Sequence, residues 1–289
     1  MRNSSCSKDQ AARRAKRSAA ALRAAVYAGA GICVAVLAGI LVYILVKGVP
    51  NLTPELFSLQ YTSENASVVP ALLNTLVIVV LSLAIAVPLG IFSAIYLVEY
   101  DKKGNRFVTV VRVTAETLAG IPSIVYGLFG YLLFVTTLGF GYSLLAGALT
   151  LSIMILPVIL RTTEEALQSV PDLYREGSFG LGAGKLRTVF RIVLPSAAPG
   201  ILAGVILAVG RLVGETAALI FTAGTVAQTP DSLLGSGRTL AVHLYALWNE
   251  GLATEKAYAT AVILLVLVAG INTLSSVLAS KWTKGNKNG

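Results

Sequence analysis

Charge is what this chain has least of. Only 13% of its 289 residues are charged, where an average soluble domain carries about 25%. A soluble globule of this length needs that missing charge to cover its surface, so a soluble enzyme is excluded. Disorder is excluded too, by 55% hydrophobic residues and a mean hydropathy of +0.77. Histidine occurs once and cysteine twice. The single His243 stands alone in its loop, and neither metal nor cofactor is expected. Cys6 precedes the first apolar run and Cys33 lies inside it, so no disulfide joins them. With no apolar run ahead of Cys6, a lipoprotein attachment signal is not expected either.

Long apolar runs are what the chain has in plenty. A bilayer core of about 30 Å takes about 20 apolar residues per helix. Residues 24–46 carry no charge, and neither do 68–98, where Pro70 and Pro88 predict a distorted span over about 70–97. Between 113 and 160 the only charge is Glu116, which leaves room for two spans parted by a glycine turn at 137–142. Residues 197–224 make a fifth span carrying Arg211 and Glu215, and 258–279 a sixth. The expected fold class is therefore all-α, polytopic, with six transmembrane helices.

The net charge of +9 reads as an address, with no nucleic-acid partner implied. Nineteen of the 23 Lys and Arg fall in the N-terminal tail (1–23), the second loop, the fourth connection and the C-terminal tail (281–289). Only Lys47, Arg238 and Lys256 fall in the opposite connections. That bias predicts both termini in the cytoplasm. The first span is too long for a signal-peptide core and no small-residue cleavage site follows it.

The connection from about 161 to 196 is too polar for the bilayer and too long for a plain turn. Gly182-Ala183-Gly184-Lys185 imitates a phosphate loop, yet Phe179 and Leu186 occupy positions that need Gly and Ser or Thr. The chain is not expected to hydrolyse nucleotide. A different pattern fits without a gap: Glu176-Gly177-Ser178, three residues, Gly182, nine residues, then Ile192-Val193-Leu194-Pro195. This resembles the cytoplasmic signature E-A-A-x3-G-x9-I-x-L-P of ABC-importer permeases, with Gly177 and Ser178 in place of the alanines. An ordinary amphipathic connector lying on the membrane surface is the alternative.

The resemblance covers roughly 67–280. Asn74-Thr75, Pro88-Leu89-Gly90 and Ala94-Ile95-Tyr96-Leu97 look like the core of type I ABC importer permeases. Gly120-Ile121-Pro122-Ser123-Ile124-Val125-Tyr126-Gly127 narrows it to phosphate permeases. Gly210-Arg211-Leu212-Val213-Gly214-Glu215-Thr216-Ala217, followed by Phe221-Thr222-Ala223-Gly224, resembles the PstA-type subunit family. The resemblance implies a MetI-like fold, a bacterial or archaeal cell membrane, and half of a pathway for inorganic phosphate. It implies a PstC-like permease as the other half, two PstB-like ATPase subunits beneath, and a PstS-like binding protein outside. It assigns Glu176, Gly177, Ser178, Gly182, Ile192, Leu194 and Pro195 to coupling with the ATPase.

Charge inside the bilayer costs roughly 2.5–3.5 kcal/mol per group on insertion scales, so Arg211 and Glu215 need a reason. On a continuous helix they lie at i,i+4 and can pair. One reading is a self-neutralising structural pair. The other is an anion site, with the planar Arg211 fork on the oxyanion, Glu215 modulating it and the Thr216 hydroxyl alongside. Glu116 follows Arg112 by four residues and is expected to pair with it. Asn74 and Asn272 are read as interhelical hydrogen-bonders, the prolines at 122, 157 and 195 as shapers of helix ends and kinks. His243, in an outer loop with Tyr245 and Trp248, is read as a surface or docking residue. A sulfate or molybdate permease, or less plausibly a lone secondary carrier, is the alternative to a phosphate importer.

Overall fold

The computed structural model describes residues 3–100, 106–251 and 253–285. Of the basic residues used above, Arg2, Lys102, Lys103 and Lys287 lie outside them. Every long element is helical, because lipid offers the backbone no hydrogen-bond partner and a helix satisfies its own. The first helix, α1 (Asn3–Gly48), takes in the basic tail as well as the first span. Its apolar stretch is exposed on nearly all sides. It meets the body at one end, where Gly48 lies against Tyr258 and Val262 and the Tyr43 and Tyr258 hydroxyls are 3.2 Å apart.

The centre of the molecule is a parallel pair, α2 (Val69–Ile95) and α5 (Leu144–Gln168). Small residues let the two backbones close up, as is usual between membrane helices. A Cβ on Gly90 would sit 2.7 Å from Ile159. Ser82 Oγ donates to the Ala148 carbonyl at 3.1 Å, and Ser152 Oγ to the Ser82 carbonyl at 3.2 Å. A π turn (Tyr96–Tyr100) prolongs α2. Ile78, Leu151, Ile155, Ile159, Leu212 and Leu219 fill the core around this pair.

The third span is bent. α3 (Arg106–Ala119) and α4 (Ser123–Gly130) meet at 105°, with Gly120-Ile121-Pro122 between them. Pro122, with φ −59° and ψ 141°, starts α4 from an extended backbone. The glycine turn that follows is where the sequence places it, with Gly139 and Gly141 at φ +69° and +64°. Among the described residues five helices are long and apolar enough to cross a membrane, and six if this bent pair counts as one span.

The expected unbroken fifth span, 197–224, is corrected. α8 (Leu194–Val213) stops at Gly214, and a short helix, α9 (Ala217–Thr222), resumes after a three-residue break. Between α5 and α8 come two arms of a loop, α6 (Asp172–Gly180) and α7 (Lys185–Thr188). After α9 come α10 (Leu240–Glu250) and the last span, α11 (Thr254–Gly285). The end carrying α6 and α7 is called the basic end below, its opposite the α10 end.

Candidate translocation wall and docking loop

The height of Arg211 follows from packing. α8 runs antiparallel to α5, with Gly200 on Ala166, Gly204 on Thr162, and Leu219 and Ala223 on Gly147. This register sets Arg211 near Ile155, about midway along α5. Its side chain is exposed, and it makes no ion pair among the described residues. The i,i+4 pairing expected with Glu215 does not form, because the helix ends at Val213 before reaching it. Glu215 turns inward instead. It is 8% exposed, and its Oε1 accepts from the Ala218 N–H at 3.1 Å, capping the first turn of α9. Thr216 is half-buried, its hydroxyl 3.4 Å from the Gly214 carbonyl. Glu215 thus explains its own burial, and Arg211 is left with its full donor set free.

Below Arg211, toward the basic end, a cavity of about 440 Å³ opens between α3, α5 and α8, with Leu207, Pro157, Thr162, Arg112, Glu116 and Glu164 among its walls. The expected Arg112–Glu116 pair is absent. Arg112 reaches across to Glu164 on α5 at 2.7 Å instead, the more sheltered carboxylate, and Glu116 stays exposed.

The two loop arms are pinned to the bundle and to each other, and their outer faces are open. Arg175 at the base of α6 donates to Glu99 at 2.8 and 3.0 Å, to the Leu167 and Val170 carbonyls at 2.9 and 2.8 Å, and to Asp172 at 3.2 Å. The buried Ser178 and Thr188 hydroxyls, 2.8 Å apart, staple one arm to the other. The turn between them needs φ +81° at Gly182, which a side chain would strain. The glycines of the false phosphate loop therefore make a turn, and Lys185 lies over the Tyr100 ring at 4.7 Å. Glu176 and Gly177 face solvent, and a Cβ on Gly177 would meet nothing. Leu173, Leu181 and Leu186 are exposed, Leu181 at 91%. Ile192 is half-buried in the π turn (Val189–Val193) that joins α7 to α8, Leu194 is half-buried at the start of α8, and Pro195 is exposed in its first turn. The sequence reading missed Glu99, Arg175 and Thr188. Nothing in the spacing links residues 76 positions apart, though a sheltered carboxylate ending the second span asks for a cation.

At the α10 end the reading of His243 as a surface residue is corrected. It is fully buried, with Nε2 3.2 Å from the Ala66 carbonyl and its ring edge-on to Tyr61. Arg238, 4% exposed, stacks its guanidinium 4.7 Å from the Tyr61 centroid. Asn74 bonds a loop where a neighbouring helix was expected: its Nδ2 donates to the Arg238 and Gln228 carbonyls at 3.2 and 3.3 Å. α10 is not among the membrane-crossing helices. Burial, and next the Arg238 charge, lower the His243 pKa from 6.5 to about 3, against the opposing bond to Ala66. The imidazole is neutral.

A helical wall with a mid-height cation and a pinned loop of exposed apolar side chains is the build of a transporter's membrane subunit. The chain belongs to the family of binding-protein-dependent transport system inner membrane components, whose profile matches residues 86–284. It is 34% identical over 279 residues to the probable ABC transporter permease protein YqgI of Bacillus subtilis (strain 168), covering 87% of this chain and 91% of that one. It is 42% identical over 205 residues to the phosphate transport system permease protein PstA of Mycobacterium leprae (strain TN), covering 70% and 67%. Among solved structures, a bacterial alginate ABC transporter in complex with its pentasaccharide-bound periplasmic protein superposes at TM-score 0.61, with 16% identity over 88% of this chain and 95% of that one. The inward-facing MetNI methionine ABC transporter superposes at 0.55, with 20% identity over 84% and 97%. The fold is that of ABC importer permeases, and the protein is a multi-pass component of the cell membrane. As such it is a transport subunit, not itself an enzyme, of a system that depends on a substrate-binding protein.

Proposed function

We propose that this chain is a permease subunit of an ATP-driven phosphate importer and forms half of the translocation pathway. The observation that carries the reading is Arg211, an unpaired guanidinium held halfway along the bundle on an exposed face. A planar cation with free donors matches the oxygens of a tetrahedral oxyanion, and a lone charge at that depth is retained only for a purpose. The relatives named for phosphate transport, at 36–42% identity, favour phosphate over sulfate or molybdate. Thr216 lies near enough in sequence to add a hydroxyl, while Glu215 serves by holding the break in the fifth span.

The exposed Arg211 face pairs with a PstC-like permease, a PstS-like protein delivers phosphate at the α10 end, and two PstB-like ATPases serve the complex. One of these takes the 161–196 loop through Glu176, Gly177, Ser178, Gly182, Ile192, Leu194 and Pro195. The basic end, with both termini, faces the cytoplasm. Segments 1–23, 24–46, 67–280 and 281–289 are then cytoplasmic tail, first transmembrane helix, permease core and cytoplasmic tail. Uptake by the reconstituted complex, with ATP at the basic end, tests the reading against phosphate, sulfate and molybdate. ATP-dependent uptake with preference for phosphate is expected; ATP-independent uptake, or no preference, would overturn it.

A further inference from the structure

Both arms of the docking loop close on the same five residues, the π turn Tyr96–Tyr100 that ends α2. α6 reaches it through Arg175, whose Nε and Nη2 both donate to Glu99 Oε1, at 3.0 and 2.8 Å. α7 reaches it through Lys185, over the Tyr100 ring. The Arg175 and Glu99 side chains are only 14% and 8% exposed. At its other end α2 holds the segment leading into α10. Asn74 donates to the Arg238 carbonyl at 3.2 Å, and Thr75 Oγ1 accepts from the Leu240 N–H at 2.8 Å. Between these ends α2 is braced along α5 by Ser82, Ser152 and the Gly90–Ile159 contact.

We propose that α2 is the rod that carries movement of the docking loop to the α10 end, with the Arg175–Glu99 pair as its joint. The inference rests on the importer reading above and names the residues that do the coupling inside this subunit. A sheltered ion pair is weak evidence for stability, since desolvation offsets most of its attraction. What it supplies is direction: a rigid fork that bonds Glu99, the Leu167 carbonyl in the last turn of α5 and the Val170 carbonyl just beyond it leaves α6 no freedom to tilt alone. A push on α6 therefore moves α2 and α5 as one body. Arg175 and Glu99 are positioning residues: they act on each other and through α2 and α6.

The test uses the full complex in vesicles, with ATP at the basic end, the binding protein at the α10 end and radiolabelled phosphate. The quantity read is ATP hydrolysed per phosphate moved, alongside the thermal stability of each complex. Two variants are compared, Glu99→Gln and the double change Arg175→Met with Glu99→Met. The double change fills the same space with apolar side chains and is expected to match the wild type in stability. ATP consumed per phosphate is expected to rise about tenfold in both, within the range for residues that couple sites without touching ligand. A double variant coupled as tightly as the wild type would overturn the rod, leaving the pair a packing device. A wild-type complex that moves no phosphate would instead overturn the importer reading, and the inference with it.

Discussion

At the α10 end of the α2–α5 pair, Asn74, Arg238 and His243 are buried and bonded to a loop. At the basic end, Glu176, Leu173, Leu181 and Leu186 stand in solvent on arms held by Arg175, Lys185 and the Ser178–Thr188 staple. Both ends carry polar and apolar residues in sequence, but they are used in opposite ways. The α10 end buries its polar groups to fix a long connection onto the bundle, and it keeps its one histidine neutral. The basic end spends its sheltered charges on anchoring, through Arg175 and Glu99, and leaves apolar side chains in solvent, where the proposed ATPase contact lies. Burial thus closes the α10 end, and exposed apolar side chains make the basic end the candidate handle.

Four changes break this contrast in order of expected effect. Leu181→Asp puts a charge at the exposed turn between the two arms and is expected to weaken ATPase association about 30-fold, as for a hot-spot residue worth ~2 kcal/mol. The melting temperature of the isolated subunit should not move, and a binding assay beside a melting curve checks both. Asn74→Ala does the reverse: it strips the donor from two loop carbonyls and is expected to cost about 1–3 kcal/mol of stability. ATPase association should survive it, and loss of association would contradict the division between the two ends.

Acid sharpens the same contrast. Unfolded, His243 binds a proton near 6.5; folded, it resists until about 3. Its contribution is therefore complete above pH 6.5 and is lost progressively as pH falls toward 3, at about 1.4 kcal/mol per pH unit. His243→Gln should flatten the melting curve's pH dependence between 6.5 and 5, and an unchanged slope would place the titration elsewhere. The smallest effect is Gly182→Ala, where φ +81° costs a side chain about 1–2 kcal/mol locally. Coupling should drop modestly while the bundle melts as before.

Much of this was legible in the chain. The apolar runs mark the spans, and the Glu176 to Pro195 spacing marks the loop that stands out from the bundle. What was not legible follows from packing between distant segments. Gly214-Glu215-Thr216 sits in an apolar run and reads as helix, yet Glu215 is spent on capping a new one. Arg112 chose Glu164 on a neighbouring helix over Glu116 on its own, because the former is better sheltered. Buried His243 read as exposed because the loop that covers it lies more than a hundred residues away in sequence, at Tyr61 and Ala66.

Arg211 is the hinge of the whole account, and one measurement bears on it most directly. Phosphate uptake by the reconstituted complex carrying Arg211→Ala is compared with wild type, at equal assembly and equal ATPase binding. Loss of a charge-assisted contact worth about 1.5–3 kcal/mol predicts uptake lower by about 10- to 100-fold. Uptake at the wild-type rate from a fully assembled Arg211→Ala complex would contradict the account.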